Sequence, residues 1–412
     1  MSSPVSSVVP DDSARGASAS SGSLPRRASV AQKLLLSLFS LLAFAALLEI
    51  GARVGSYLYY GRNPYYLFYG FRSWTNEQGE GHSDKRAGYF KFPAHEEMRY
   101  GTPEPFRTNN HGFRGPDFEA RKPPDTYRIV CLGASSTFGY TNRDQGTYPF
   151  LLEKRFAEAR AAGASGPRVE VINAGIPHLN SSNIRALLEQ EIFGYEPDLI
   201  TFYEGYNDAT YPLAETRVQR WSRAADEYSA AYAALRKLVE KLGSRAMQGR
   251  WTRYQPGMDL AAVGRQLGLH HVMLRENLSA MLLAARERGV DFVLVKQPVT
   301  MWFEAQKRGL ASGPRPGYEE EYRRVEERLR TEGAIPGYEA TLYVHHALME
   351  LVEELAREHG FPLVDNVALL EGHVEDLVTT VHLSEAANER LASALHETIA
   401  PRIGAPGAPR NQ

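Results

Sequence analysis

The chain has 412 residues, and its 47 basic and 49 acidic side chains leave a formal net charge of −2. A nucleic-acid-binding surface needs an excess of positive charge, so we expect no nucleic-acid partner. The single cysteine, Cys131, excludes a disulfide within the chain and a cysteine-ligated metal site.

The first element in chain order is a polar tail. Residues 1–30 are rich in Ser, Ala, Pro and Gly and have no apolar periodicity, which is typical of a disordered segment. Residues 403–412, at the opposite end, are predicted to form a second disordered tail.

An apolar run from Leu34 to Leu48, interrupted only by serines, follows the first tail. At ~1.5 Å per residue this run is ~22 Å long, and extending it to Val54 reaches the ~30 Å of a bilayer core. We predict a single-pass transmembrane signal anchor over residues 31–56; a cleavable signal peptide and a buried helix of a soluble domain are the alternatives. Basic residues before the run predict a cytoplasmic N-terminus and an extracytoplasmic remainder: Arg15, Arg26, Arg27 and Lys33.

The rest of the chain divides into an irregular stretch and a large α/β region. Residues 57–125 are rich in aromatic residues, Gly and Pro, which predicts a linker or appendage laid over the main domain. Between residues 126 and 402 short strands alternate with longer helices, the pattern of a parallel sheet covered on both faces. Two long excursions, 209–268 and 299–340, leave from the sheet edge where ligands bind, and we expect them to influence substrate choice. The predicted strands are Tyr127–Leu132, Arg168–Asn173, Asp198–Tyr203, Val290–Lys296 and Pro362–Asp365, and the predicted helices are Tyr148–Ala162, Asn183–Phe193, His271–Arg288, Thr341–Glu358 and Glu385–Ile399.

The first predicted strand contains Cys131, which we expect to be a buried small hydrophobe, and runs into the turn Gly133–Gly139. This turn carries Ser135 between small residues, which would let a substrate carbonyl approach its hydroxyl. The backbone N–H groups at such a strand–turn–helix junction point outward and can hold negative charge. Ser135 is therefore the candidate nucleophile.

Two further strands end in segments that could stabilise an oxyanion. In Val171–Gly175 the backbone N–H of Gly175 is a candidate donor, and a plain turn glycine is the alternative. In Phe202–Asp208 the side-chain amide of Asn207 is a second candidate, and an Asn-Asp turn cap is the alternative.

A fourth segment near the C-terminus, Val381–Asn388, presents His382 just before a helix that Ser384 is predicted to cap. A histidine in this position can take the serine proton and return it to the leaving group; a structural or exposed histidine is the alternative. The adjacent pairs His270-His271 and His345-His346 diverge by about 100° on a helix, so we predict no metal site.

These four segments, in this order, resemble the SGNH (GDSL-type) hydrolase superfamily over about residues 127–400. The resemblance implies a three-layer α/β/α domain of flavodoxin-like type with a central five-stranded parallel sheet. It also implies Ser135 as nucleophile, His382 as base, and an oxyanion hole formed by the Ser135 and Gly175 backbone N–H groups and the Asn207 amide. The residues Arg107–Arg114, which come before the domain, resemble a stretch that precedes it in membrane-anchored bacterial members, and their polar side chains could border the site.

The sequence departs from the family pattern at three positions. Ala134 replaces an acidic residue, and His178 replaces a small residue after the glycine block, where it could crowd or polarise the site. The triad acid of the family lies three residues before the histidine, where this chain has Thr379. Asp376 could substitute if its loop bends back; alternatively, Thr379 or a backbone carbonyl orients the imidazole in a Ser–His dyad.

The sequence therefore predicts an extracytoplasmic serine esterase that removes small acyl groups, such as acetyl, through an acyl-enzyme. An acylated small molecule or glycan is the expected substrate, the membrane is the expected partner of the N-terminal helix, and no cofactor is expected. An O-acyltransferase with the same residues and a non-catalytic binding protein with the same fold are the two alternatives.

Overall fold

The computed structural model describes residues 29–59, 82–84, 89–99, 101–210 and 258–403, together with 225, 229–232, 234, 235 and 238. Nearly all of both predicted tails, and most of the excursion 209–268, lie outside the described residues. The chain divides into two units, Met1–Phe71 with Ser229–Ala234 and Arg72–Tyr228 with Leu235–Gln412.

In the first unit, helix α1 spans Val30–Tyr59. Most of its side chains are apolar, and its segment Val30–Leu58 has a mean hydropathy of 2.2 and is long and apolar enough to cross a membrane. The Glu49 carboxylate within it pairs with Arg53 at 2.6 Å and accepts the backbone N–H groups of Ala230 and Ala231 at 2.9 and 3.0 Å.

The strands of the second unit are β1 (His82–Asp84), β2 (Tyr89–Lys91), β3 (Glu97–Met98), β4 (Phe106–Arg107), β5 (Thr126–Gly133), β6 (Arg168–Gly175), β7 (Leu199–Tyr203), β8 (Met258–Asp259), β9 (Asp291–Lys296), β10 (Ala334–Ile335) and β11 (Leu363–Asp365). Five of them, counted over the described residues, form the parallel central sheet in the order β11-β9-β7-β5-β6. Gly133, at the carboxyl end of β5, lies opposite Gly175 of β6 and Tyr203 of β7, so these three strands end together. Short antiparallel pairs join β1 to β2, β3 to β4, and β8 to β10.

Helices connect these strands and cover both faces of the sheet. They are α2 (Ser135–Phe138), α3 (Tyr148–Ala161), α4 (Ser181–Gln190), α5 (Tyr206–Thr210), α6 (Leu260–Glu287), α7 (Trp302–Lys307), α8 (Tyr318–Glu332), α9 (Gly337–His359), α10 (Asn366–Leu370) and α11 (Glu385–Ile399).

The alternation of side chains along the strands assigns each helix to a face. In β5, Val130 and Leu132 point into a core that they share with α4, α6 and α9. Ile129 and Cys131 point the opposite way, into a core built with α3 and α11. Both sets are fully buried, so the predicted three-layer α/β/α fold and the buried Cys131 are confirmed.

Each of the predicted strands and helices is present, with small shifts at the ends. The largest difference is the helix predicted from His271, which begins at Leu260 as α6. Its start is set by Asp259, whose side chain accepts the backbone N–H of Ala262 at 2.7 Å and so caps the first turn.

Residues 101–118, which we call the upstream segment, pack against this domain through aromatic side chains. Phe106 and Phe113 are each 1% exposed and lie in the same core as Phe138 of α2. The rings of Phe106 and Phe138 meet edge to face with their centroids 5.0 Å apart. The upstream segment is therefore attached to the helix that begins at Ser135.

Candidate active site

The predicted site residues from three different strands lie at one edge of the sheet. Ser135 opens α2 directly after β5, Gly175 ends β6, and Asn207 lies in α5 after β7. Gly175 has to be a glycine because a Cβ there would overlap the backbone nitrogen of Phe138 in α2. The absence of a side chain thus lets β6 approach the helix that carries Ser135.

The candidate nucleophile and the candidate base are in hydrogen-bond contact. His382 Nε2 lies 2.9 Å from Ser135 Oγ, although the two residues are 247 positions apart in the chain. Both side chains are half-buried, and the imidazole also packs on the Tyr140 ring, with centroids 4.6 Å apart. The arrangement can transfer the serine proton to the histidine.

The other imidazole nitrogen faces Thr379 and not a carboxylate. Thr379 Oγ1 lies 2.6 Å from His382 Nδ1 and also accepts the backbone N–H of His382 at 3.1 Å. When the ring proton is on Nδ1, the imidazole donates it to Thr379 Oγ1 and leaves Nε2 free to act as a base.

Asp376 was expected to substitute for the triad acid beside His382, but its side chain faces Ser384 and Arg390, which corrects that expectation. Its carboxylate accepts hydrogen bonds from Ser384 Oγ at 2.8 Å and from Arg390 Nε at 3.2 Å. The loop does bend back, but as a small hairpin in which Leu377 pairs with Leu383. This register places Asp376 opposite Ser384, two residues beyond His382, and leaves Thr379 beside the imidazole.

The candidate oxyanion donors follow three adjacent strands at one edge of the sheet, and two of them have intramolecular acceptors. The Gly175 N–H donates to Asn173 Oδ1 at 3.1 Å, and the Asn207 side chain donates from Nδ2 to the carbonyl of Leu179 at 2.8 Å. The Asn207 amide carries two hydrogens, so this contact uses one of them. The Ser135 N–H is the first of α2, where backbone donors point away from the helix.

Burial sets the protonation state of the base. Burial, and to a smaller extent the neighbouring His178, lower the pKa of His382 to about 4. The imidazole is therefore neutral at pH 7, which is the form that accepts a proton. His178 is itself exposed and has a left-handed φ of 65°, an unusual conformation for a residue other than glycine.

Sequence reasoning missed Glu204, which supports two of the site turns at once. It is 1% exposed and accepts the backbone N–H of Asn207 at 2.7 Å, together with those of Ala134 and Gly205. Burial raises its pKa to about 8, against the opposing effect of these three donors. Its position directly after a predicted buried strand was the signal that could have identified it.

A second missed residue, Gln297, links the histidine loop to the turn that carries Asn207. Its side-chain oxygen accepts the Tyr206 N–H at 2.8 Å, and its Nε2 donates to Ser136 Oγ at 3.2 Å. Ser136 Oγ in turn donates to the carbonyl of Val381 at 3.1 Å. Gln297 directly follows β9 and is 1% exposed, so a buried polar residue at a strand end was again the available signal.

In the part of the chain that the structure describes, no group of three or more His, Cys, Asp or Glu side chains is arranged to hold a metal ion.

The GDSL-like Lipase/Acylhydrolase family matches residues 131–390, which is more than half of the chain. The chain belongs to this family. Its segments for the nucleophile, the glycine block, Asn207 and His382 all lie within the matched range, whereas the upstream segment lies before it. No curated protein matches the sequence.

Solved structures of similar fold are distant in sequence. A lipase/acylhydrolase from Enterococcus faecalis is 17% identical and aligns over 68% of this chain and 100% of its own, with a TM-score of 0.39. A putative lipolytic protein of the G-D-S-L family from Desulfitobacterium hafniense is 12% identical over 66% and 98%, with a TM-score of 0.38. A catalytic mutant of an acetylxylan esterase from Geobacillus stearothermophilus is 13% identical over 66% and 94%, with a TM-score of 0.36.

Proposed function

We propose that this acylhydrolase-family protein is a serine esterase in which Ser135 and His382 form the catalytic pair. The observation that carries the proposal is the 2.9 Å contact between Ser135 Oγ and His382 Nε2 at the carboxyl edge of the sheet. Ser135 attacks the ester carbonyl while His382 takes its proton, and the protonated His382 then returns that proton to the leaving alcohol. Water, deprotonated by His382, releases the acid from the acyl-enzyme and regenerates Ser135.

Thr379 acts in this mechanism as the group that orients the base. Its oxygen receives Nδ1–H, which keeps Nε2 unprotonated and directed at Ser135. A hydroxyl carries no negative charge, so it stabilises the imidazolium less than a carboxylate does. We therefore expect a functional dyad with a lower turnover than a complete triad.

The oxyanion that forms on the ester carbonyl would be held by the Ser135 and Gly175 backbone N–H groups and the Asn207 amide. Their placement at three adjacent strand ends supports this assignment. A substrate oxygen would replace Asn173 Oδ1 as the acceptor of the Gly175 N–H and use the second hydrogen of Asn207.

The proposed setting is a catalytic domain held outside the cytoplasm by α1. The length and hydropathy of Val30–Leu58 support a membrane anchor, and the basic residues before it support a cytoplasmic N-terminus. Small acyl groups on a glycan are the proposed substrate class, by analogy with the family that the sequence resembles.

The test uses the full-length protein purified in detergent. We expect hydrolysis of p-nitrophenyl acetate in preference to the octanoate, labelling of Ser135 by a fluorophosphonate, and loss of both in Ser135→Ala. Labelling without hydrolysis, together with acyl transfer to a glycan acceptor, would assign the protein as an O-acyltransferase. If the protein shows no labelling and no hydrolysis, the esterase proposal is rejected in favour of a non-catalytic binding protein.

A further inference from the structure

Arg114, in the upstream segment, binds backbone carbonyls at the end of α2, the helix that begins at Ser135, and in the loop that follows it. Its side chain is 2% exposed. Nη1 donates to the carbonyls of Phe138 and Gly139 at 3.1 and 2.8 Å, and Nη2 donates to the carbonyl of Asn142 at 2.9 Å. Nε donates to Asp144 Oδ1 at 2.7 Å. One buried guanidinium thus satisfies the carbonyls at the negative end of α2 and defines the course of the following loop.

The upstream segment holds the same loop at a second point. The carbonyl of Gly101 accepts the Thr141 N–H at 2.9 Å. Gly101 has a φ of +61°, and a Cβ on it would overlap the Tyr140 ring, so its backbone lies directly against that ring. Tyr140 in turn packs on the imidazole of His382 at 4.6 Å between centroids.

We propose that Arg114 is a positioning residue for catalysis, which holds loop Phe138–Asn142 so that Tyr140 packs on the His382 imidazole. The inference rests on the proposed esterase function and extends it beyond residues 131–390, the range that the family matches. Arg114 touches neither Ser135 nor His382; it acts through the loop. If the loop were displaced, the His382 imidazole would become exposed to water, although neither Ser135 nor His382 is itself substituted.

Exposure of the imidazole to water would change the pKa of His382, which a general loss of stability would not do. Burial is the main cause of the low pKa of His382, and the Tyr140 ring contributes to that burial. Water admitted beside the ring would stabilise the imidazolium and raise the pKa of His382 toward its ordinary value. The groups that face the imidazole are the Ser135 and Thr379 hydroxyls, Tyr140 and His178. Among the residues that the structure covers, no carboxylate forms a hydrogen bond or ion pair with it.

In a variant that lacks Arg114, free guanidinium ion from solution can take the place of its side chain. It lines a cavity of about 600 Å³ together with the exposed side chains of Asp144 and Phe150. Arg114→Ala would extend this cavity to the carbonyls of Phe138 and Gly139, so added guanidinium ion can enter and bind them. Lysine at this position keeps the charge but lacks the planar fork that bonds several carbonyls together.

The experiment compares the full-length protein with Arg114→Ala, Arg114→Lys and Tyr140→Leu. Arg107→Gln is the matched control, because Arg107 belongs to the same segment and is exposed. For Arg114→Ala we expect kcat on p-nitrophenyl acetate to fall about 10- to 100-fold with little change in KM. We also expect the acidic limb of its pH profile to move from near pH 4 toward pH 6, and millimolar guanidinium to restore part of kcat.

Tyr140→Leu should move the acidic limb in the same direction with Arg114 in place, which keeps the test valid if Arg114→Ala folds poorly. Arg114→Lys should recover less activity than added guanidinium does, and Arg107→Gln should match the wild type. An acidic limb that stays near pH 4 in both Arg114→Ala and Tyr140→Leu would overturn the proposal, even if Arg114→Ala loses activity or thermal stability.

The two proposals fail in different ways. Wild-type protein without esterase activity would refute the proposed function. The positioning role would then be decided without turnover, by NMR titration of His382 in the wild type and Arg114→Ala, with His382→Gln used to assign the signal. A pKa for His382 that rises in Arg114→Ala supports the role, and an unchanged pKa rejects it.

Discussion

Thr379 Oγ1 lies 2.6 Å from His382 Nδ1, in the place where a serine triad has its carboxylate. Asp376, the acidic residue that the sequence suggested as a substitute, is turned toward Ser384 and Arg390. In the proposed mechanism the Ser135–His382 pair therefore has an uncharged orienting group, which would lower the stability of the imidazolium formed during acyl transfer.

Thr379→Asp should increase activity, because it places a carboxylate on the Nδ1 side of the imidazole. We expect kcat on p-nitrophenyl acetate to rise by about 10-fold or more, and Thr379→Val, which keeps the shape and removes the hydroxyl, to lower it by about 10-fold. Asp376→Asn is the control: it weakens a buried contact and should lower the melting temperature while kcat stays within about 2-fold. Equal kcat values for Thr379→Val and the wild type would show that Thr379 does not orient the base.

The pH profile of the wild-type enzyme should report the buried imidazole. Neutral His382 is the active form and its pKa lies at about 4, so kcat/KM should rise through pH 4 and be level from about pH 5.5 to pH 8. In Thr379→Asp the added carboxylate favours the imidazolium, so the limb should move to higher pH. Steady-state kinetics between pH 3.5 and 8 give both values, and a wild-type limb near pH 6.5 would contradict the burial argument.

Glu204 should make the folded protein less stable as the pH rises. Its pKa is raised from 4.5 to about 8, so the folded state holds a proton that the unfolded state has lost. This contribution is complete below pH 4.5 and disappears as the pH rises to about 8. Compared with Glu204→Gln, the wild type should lose about 1 kcal/mol or more of unfolding free energy between pH 5 and pH 8.

Melting temperatures of the two proteins at a series of pH values measure this difference. Glu287→Gln, on an exposed position of α6, is the matched control and should follow the wild type at every pH. Parallel curves for the wild type and Glu204→Gln would show that Glu204 is ionised throughout.

Gln297→Leu should impair catalysis through the turns that Gln297 connects. The change leaves the Tyr206 N–H without its acceptor and removes a donor from Ser136, in a region that excludes water. We expect the unfolding free energy to fall by about 1–3 kcal/mol and kcat to fall about 10-fold. Gln306→Leu, at an exposed position of α7, should affect neither quantity. A loss of stability with unchanged kcat would limit Gln297 to a purely structural role.

The sequence alone determined the layered α/β fold, and its resemblance to SGNH hydrolases implied the pairing of Ser135 with His382. Strand and helix periodicities are local properties, and parallel strands end at one edge of a sheet, so motifs at strand ends meet whatever their separation in the chain. This reasoning placed Ser135, Gly175 and Asn207 at the same edge of the sheet. Only the tertiary structure decided which group faces His382 Nδ1, because the register of the 376–384 hairpin depends on packing and hydrogen bonds that no sequence spacing specifies.

The tertiary structure also decided which polar residues support the site. Gln297 reaches Tyr206 because β9 lies beside β7, a neighbour relation set by sheet order and not by sequence distance. Arg114 reaches the end of α2 because the upstream segment packs its phenylalanines into the domain core. The chemistry proposed for Ser135 and His382 follows from short local motifs, whereas the orientation of the two side chains depends on buried polar contacts between segments far apart in the chain, which form only when the core packs.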